Sequence, residues 1–465
     1  MNHESVIRDI TDPMFRQLCR EVVAAMERLH VPGVAVGLID GDAEHVAGLG
    51  ITNIHHPLAI DADTLFQIGS TTKTVTGTAA MRLVEQGRLE LDTPIRTYLP
   101  NLRLASEEVA ARVTLRHLFT HTGGWVGDYF DDLGNGDDAL AKIVDRLADL
   151  PQLTPLGEVW SYNNAGFYLA GRVIEVVTGK SYEVAAKELV LDPLGMTMSF
   201  FFAADAITYR VASGHESSYT EGAGGPKVAR PWALARTANP AGGIISTVRD
   251  QLRYARFHMG DGTAADGTRL LAPESIALMQ SPIVPAANDE YLGITWIVYD
   301  IDGIRIVRHG GGTNGQLSAF MFVPARRFAL TILTNANRGG ELHRDITRWA
   351  LREYLGVSEQ EPRPLELDEA QLAAYAGRYT SAMDEIDLSL REGALVMQII
   401  PKGGFPKRDS PPPPTPPPMR LALYGQDRAI ALDQPMKDVR GEFLRARDGT
   451  ISWFRFGGRV HARET

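Results

Sequence analysis

At 465 residues, with 44% hydrophobic and 22% charged side chains, the chain is long enough for two domains and a large core and has the composition of a globular protein. A net charge of −10 with no basic run excludes a nucleic-acid footprint, and the single cysteine, Cys19, excludes an intramolecular disulfide. No apolar run reaches membrane-spanning length, and the polar opening Met1-Asn2-His3-Glu4-Ser5 does not resemble a secretory signal, so a cytoplasmic location is expected.

In chain order, an amphipathic helix is expected after Asp12, its cap, with Pro13 at the first position. Strands over 32–39 and 44–51 follow, joined by an Asp-Gly turn. The apolar run from Thr64 to Gly69 leads into Ser70-Thr71-Thr72-Lys73, after which Val75, Ala79 and Leu83 recur at helical spacing until Gly87. Residues 71–245 read as helices and loops. Among them Tyr162-Asn163-Asn164 precede a helix with Leu169, Val173 and Val176 on one stripe and Gly179 at its end. Strands resume at 292–299, 304–308, 317–323 and 328–334, and a helix over 341–354 closes the unit. Strands from both ends with a mainly helical insertion between them predict an α+β fold, an antiparallel sheet flanked by helices, over residues 1–355.

Residues 356–367, rich in Glu and Pro, read as a linker. Beyond them, 368–465 alternate in short strands with turns at 391–393 and at Asp448-Gly449, which predicts a small antiparallel β-barrel. The run Ser410 to Pro418 cannot enter a sheet and is expected to be an extended excursion, either a plain surface loop or one that reaches over the Ser70 site.

Three clusters carry chemistry. A serine hydroxyl is a weak nucleophile at neutral pH and needs a neighbouring base. Lys73, three residues after Ser70 on the expected helix, falls on the same face within reach of that hydroxyl. Eight lysines and eighteen serines give about 0.3 chance Ser-x-x-Lys matches, so the pattern is informative without being decisive. Ser70 also fits a helix N-cap, a place where free N–H groups and the helix dipole favour developing negative charge. Tyr162 and Asn164 lie in a loop held by a packed helix, a common mount for catalytic groups, although a tyrosine standing there alone fits a ring packed into the core better. His309 ends a strand, and Gly310, Gly311 and Gly312 after it either let backbone approach a ligand or form a bulge.

Together and in this order, Ser70-Thr71-Thr72-Lys73, Tyr162-Asn163-Asn164 and His309-Gly310-Gly311 resemble the three catalytic elements of the serine β-lactamase and penicillin-binding protein superfamily. Residues 114–124 and 240–247 resemble two further stretches of its class C β-lactamase-like branch, which also holds D-aminopeptidases, DD-peptidases, carboxylesterases and peptide cyclases. The resemblance spans about residues 13 to 355. It implies Ser70 as nucleophile, Lys73 with Tyr162 as the proton-transfer pair, and Asn164 as the group that orients Lys73 and the substrate amide. It also implies a substrate wall at His309, Gly310 and Gly311, and an oxyanion hole from the backbone N–H groups of Ser70 and Gly312. Which of Lys73 and Tyr162 is the base stays open. The C-terminal barrel is similar to the lipocalin-like appendages of some relatives.

Class C β-lactamases carry Lys-Thr-Gly where this chain has His309-Gly310-Gly311. Histidine is mostly neutral at pH 7. The His-x-Gly form is similar to that of D-aminopeptidases, some DD-peptidases and the cyclases, which favours peptide or amide substrates and still admits esters. The expected function is therefore a serine hydrolase that forms an acyl-enzyme on Ser70 and cleaves a small amide, peptide or ester. The alternatives are a carboxylesterase, an acyl transferase or peptide cyclase, and, outside enzymes, a ligand-sensing module. The expected partner is a small-molecule or peptide acyl substrate, with no nucleic acid and no membrane, and the oligomeric state is not set by the sequence. No cofactor is expected, and His55, His56, His117 and His121 lack the spacing of a metal site. Tyr129, Trp160 and the aromatics at 200–202 fit either an apolar acyl pocket or ordinary core.

Overall fold

Eight antiparallel strands form the central sheet: β1 (Gly33–Asp40), β2 (Ala43–Gly50), β3 (Val284–Pro285), β4 (Tyr291–Leu292), β5 (Ile297–Ile301), β6 (Ile304–Gly312), β7 (Leu317–Val323) and β8 (Phe328–Thr334). Their spatial order is β2-β1-β8-β7-β6-β5-β4-β3, so segments from both ends of the unit meet in the middle. The computed structural model describes residues 3–217 and 225–464.

Every residue of β8 and the first seven of β1 are buried, because helices cover both faces and remove the usual inside–outside alternation. The long helices are α1 (Pro13–Leu29), α2 (Thr72–Glu85), α3 (Asn164–Thr178), α4 (Val248–Met259) and α5 (Gly339–Leu355). α1 and α5 pack together over one face, where Phe15, Leu18, Val22, Leu342 and Ile346 meet Val34, Val36 and Leu330. α4 and the helical insertion cover the other. As the sequence requires, Asp12 caps α1 by accepting a hydrogen bond from the Phe15 N–H, with Pro13 at the first position. Among the described residues no helix is long and apolar enough to cross a membrane.

Three expectations need correction. The stretch 292–299 is two strands, not one, because Thr295 adopts a left-handed φ of 66° and the Gly293 N–H bonds the Trp296 carbonyl, breaking the ladder. β6 does not stop at Arg308; it continues through His309 to Gly312, paired with Leu317–Phe320 of β7. Val176 lies off the buried stripe of α3 and is 42% exposed. A short helix over His3–Asp9 also precedes α1, too brief to leave a periodic signal.

The C-terminal strands close an eight-stranded barrel: β9 (Gly377–Thr380), β10 (Asp384–Arg391), β11 (Ala394–Pro401), β12 (Met419–Gly425), β13 (Arg428–Ala431), β14 (Arg440–Arg445), β15 (Ile451–Phe456) and β16 (Arg459–Arg463). β16 returns to β9 through Tyr379 and Arg463, leaving no edge. Inward side chains such as Tyr379, Met397, Phe443 and Phe454 fill its interior. The barrel touches the rest of the chain at several places. Tyr424 Oη donates to Asn288 Oδ1 at 2.8 Å and Arg428 pairs with Asp289, while Phe405 packs edge-on against Phe130 and Lys407 Nζ reaches Asp132 at 3.0 Å. The polyproline run following Lys407 is largely exposed, and the contact is made by the residues just before it.

Burial holds the imidazoles of His258, His309 and His343 down to about 3, so all three stay neutral in the folded chain. Unfolded, each takes up a proton as pH falls through its ordinary value of about 6.5. Their contribution to stability is thus present above pH 6.5 and lost progressively below it, at about 1.4 kcal/mol per pH unit for each histidine. Urea denaturation at pH 7.5 and 5.5 is expected to show a markedly lower midpoint at 5.5; equal midpoints would contradict this.

Candidate active site

Ser70 stands at the tip of a tight turn. Gly69, at a φ of 52°, takes a left-handed conformation that a glycine adopts without strain, and a single 3₁₀ turn over Gly69–Thr71 runs straight into α2. Ser70 is half-buried, and the first ten residues of α2 are buried on every side, which a single apolar stripe did not convey. Lys73, one turn along, has no exposed surface.

The Lys73 ammonium position has three oxygen neighbours: Ser70 Oγ at 3.0 Å, Asn164 Oδ1 at 2.7 Å and the Ala241 carbonyl at 2.6 Å. Nζ also lies 4.9 Å from the Tyr162 ring centroid and 5.3 Å from that of Phe167. Burial pushes the Lys73 amine well below its ordinary range, helped by the Arg459 cation and opposed by Asp128. Burial pushes the Tyr162 phenol up, with partial relief from Ser70, so it stays protonated. Its buried hydroxyl approaches Ser70 without completing a hydrogen bond of normal geometry and has no other partner among the described residues.

Local structure explains this convergence. Asn163 caps α3 by accepting from the Gly166 N–H at 2.7 Å, which leaves Asn164 as the first helical residue, facing inward, and Tyr162 on the extended chain before it. His121 stacks on Tyr162 with centroids 4.4 Å apart, and its Nδ1 accepts from the Asn163 N–H at 2.9 Å. Burial holds His121 far below its ordinary value, so it is a neutral ring supporting the tyrosine. The stretch 240–247 supplies the Ala241 carbonyl to Lys73, while the Ile244 N–H donates to Thr72 Oγ1 at 3.1 Å.

His309, Gly310, Gly311 and Gly312 line up on the last four positions of β6, against the Ser70 turn. A Cβ on Gly311 would sit 1.9 Å from the Ile68 carbonyl oxygen and 2.6 Å from the Ser70 nitrogen, so only glycine allows this approach. Ser318 Oγ donates to the same Ile68 carbonyl at 2.7 Å and ties β7 to the turn. The run is therefore a regular strand, not a bulge. His309 Nδ1 lies 2.6 Å from the Gly310 carbonyl, which can only accept, so Nδ1 carries the proton and Nε2 offers a lone pair. Its ring centroid is 6.4 Å from that of Tyr162.

Of the aromatics at 200–202, Phe200 stacks on Tyr209, Phe201 packs edge-on against the buried Tyr182, and Phe202, 37% exposed, lies under Arg236. Two residues that the sequence did not single out enter the site. Asp128 accepts from Asn164 Nδ2 at 2.7 Å, and Arg459, from the barrel, pairs with Asp128 and lies 4.7 Å from the Tyr162 ring centroid. Neither belongs to a motif with characteristic spacing. Gly457-Gly458-Arg459 reads as an ordinary exposed hairpin turn, so no local signal marks it.

The Beta-lactamase family model matches residues 18–354. Penicillin-binding protein 4 of Amycolatopsis lactamdurans is 36% identical over 364 residues, covering 75% of this chain and 93% of that protein. Unguisins hydrolase ungD of Aspergillus violaceofuscus is 25% identical over 344 residues, covering 68% of this chain and 60% of that protein. Among solved structures, SurE with D-Leu superposes with a TM-score of 0.74 at 23% identity, covering 96% of this chain and 99% of that one, so the shared fold includes the barrel. With three motif clusters converging on one turn and a family match across most of its length, the chain belongs to the β-lactamase family of serine hydrolases.

Proposed function

We propose that this protein forms an acyl-enzyme on Ser70 and cleaves a small amide, peptide or ester. The observation that carries the reading is the set of partners around Lys73. A neutral amine has two N–H donors and one lone pair. Asn164 Oδ1 and the Ala241 carbonyl can only accept, so they take both N–H groups and turn the lone pair toward Ser70 Oγ at 3.0 Å. Burial, which disfavours the charged amine, supports the same state. Lys73 is thus the better placed base, with Tyr162 retained as a phenol.

In the first half-reaction Ser70 Oγ bonds to the substrate carbonyl carbon and gives its proton to Lys73. The carbonyl oxygen takes up negative charge beside the Ser70 turn and Gly312, whose backbone N–H groups are the proposed donors. The C–N or C–O bond then breaks. Lys73 returns the proton to the leaving group by way of the Tyr162 hydroxyl, and the acyl group remains esterified to Ser70. Water repeats the sequence in reverse and releases the acid; an amine acceptor in its place would give acyl transfer.

His309 is neutral and presents an acceptor, and the nearby Arg459 is neutralised by Asp128. This environment favours a substrate N–H facing His309. The D-Leu recorded with one structural neighbour supports testing D-amino-acid derivatives first. A panel of p-nitrophenyl esters, L- and D-amino-acid p-nitroanilides and nitrocefin, run on wild type and Ser70→Ala, tests the reading. D-anilide turnover that vanishes in Ser70→Ala is expected. Ester turnover alone would favour the carboxylesterase, and turnover surviving Ser70→Ala would contradict the assignment of the nucleophile.

A further inference from the structure

The barrel reaches into the Ser70 site at one point, the hairpin between β15 and β16. The Tyr162 N–H donates to the Gly458 carbonyl at 2.9 Å, and the Val460 N–H donates to Ser161 Oγ at 3.2 Å. The hairpin therefore runs alongside the loop that carries Tyr162. From it, Arg459 extends over the Tyr162 ring and forks onto Asp128, with Nε to Oδ2 at 3.0 Å and Nη2 to Oδ1 at 3.3 Å. Asp128 Oδ1 accepts from Asn164 Nδ2 at 2.7 Å, and the other end of that amide, Oδ1, accepts from Lys73. Asp128 itself is only 6% exposed.

We infer that Arg459 and Asp128 are positioning residues, an ion pair through which the barrel fixes the amide of Asn164 and thereby the lysine that activates Ser70. An asparagine amide can be turned end for end at little cost, and in the flipped orientation it would offer Lys73 a donor instead of an acceptor. A carboxylate can only accept, so Asp128 holds Nδ2 on its own side and Oδ1 toward Lys73. Arg459 in turn holds the carboxylate, whose burial would otherwise leave an unpaired charge. The inference rests on the proposed role of Ser70 and Lys73 and adds to it a contribution from the second domain.

The pair also sets the field at Lys73, in opposite senses. The groups that face this amine are Ser70 on its own helix, Asn164 and Tyr162 from α3 and its preceding loop, His121 beneath Tyr162, His309 from β6, Asp128, and Arg459 from the barrel. Tyr162, His121 and His309 are all held neutral by burial. The charged side chains that act on Lys73 are Arg459, which disfavours its protonation, and Asp128, which favours it.

The test uses the full chain and a fluorophosphonate, in which Ser70 Oγ bonds to phosphorus and fluoride leaves while the serine proton passes to Lys73. Phosphonylation rates are followed from pH 5 to 10 for wild type, Arg459→Gln, Asp128→Asn, the double variant and Arg459→Lys. Arg459→Gln is expected to slow the reaction about 10- to 100-fold at neutral pH, a loss of the size caused by small misplacements of reacting groups. Its acidic limb should move to higher pH, because the remaining Asp128 favours the protonated amine. Asp128→Asn should move the limb to lower pH, the double variant should return it toward wild type, and Arg459→Lys should keep the limb while losing rate. Limbs that stay put, or move the same way in both single variants, would overturn the inference, since a purely structural contact has no reason to shift them in opposite directions. Absence of Ser70-dependent labelling in the wild type would overturn the underlying reading and this inference with it.

Discussion

Lys73→Met is expected to lower the acylation rate by about 10²–10⁴-fold, the usual contribution of a positioned proton acceptor. Lys73→Arg should be as severe, because a guanidinium keeps its protons at every accessible pH and has no lone pair to offer. The stability change should be modest in comparison. Methionine removes the cost of burying an amine, and leaves the Asn164 and Ala241 oxygens without a donor at about 1–3 kcal/mol each. These terms oppose one another. Single-turnover ester hydrolysis together with thermal melting separates the two effects: a variant that melts near wild type and has lost its acylation step supports the assignment. Retention of most of the wild-type rate by Lys73→Met would remove Lys73 from the mechanism.

The second large effect is expected at Gly311, where steric argument alone decides the outcome. A methyl group there would meet the Ile68 carbonyl oxygen at 1.9 Å and the Ser70 nitrogen at 2.6 Å, both backbone atoms that no rotamer change can move aside. Gly311→Ala must therefore push β6 away from the Ser70 turn. Overpacking of this kind costs about 1–3 kcal/mol. Displacing Gly312 relative to Ser70 would also spoil the proposed oxyanion donors, worth about 10²–10³ in kcat. Gly310→Ala serves as the control, since its nearest neighbour, the Ser318 carbonyl oxygen, lies at 3.2 Å. Urea denaturation and ester kinetics on both variants should show a much larger loss for Gly311→Ala. Equal behaviour of the two would contradict the close-approach account.

Much of this site is legible in the sequence because its chemistry depends on short, local spacings. Lys73 lies one helical turn from Ser70, and Tyr162 to Asn164 lead into a helix whose apolar stripe is plain, so local spacing places those side chains before any tertiary contact is known. The sheet was legible from apolar runs such as Phe328–Thr334, although a strand buried on both faces gives composition and no alternation. Failures came where tertiary packing overrides local signal. The break at Thr295 leaves no mark that a string of apolar residues would reveal, and the glycines after His309 left close backbone approach and a bulge both open, because what decides between them is a neighbour some 240 positions earlier. Asp128 and Arg459 were invisible for the same reason. Asp128 is an unremarkable charged residue in a loop and Arg459 another at the start of a barrel strand, and they meet across 331 positions of sequence only when the barrel docks. The polyproline segment is largely exposed, while its neighbours Phe405 and Lys407 make one of the barrel's contacts with the rest of the chain.

The most direct test of the central claim is intact-mass analysis of the full chain after brief exposure to a p-nitrophenyl ester under acid quench, followed by peptide mapping. One acyl group per chain on the peptide containing Ser70, absent from Ser70→Ala and strongly reduced in Lys73→Met, is the predicted result. An adduct on another residue, or turnover with no adduct that persists in Ser70→Ala, would contradict the acyl-enzyme account.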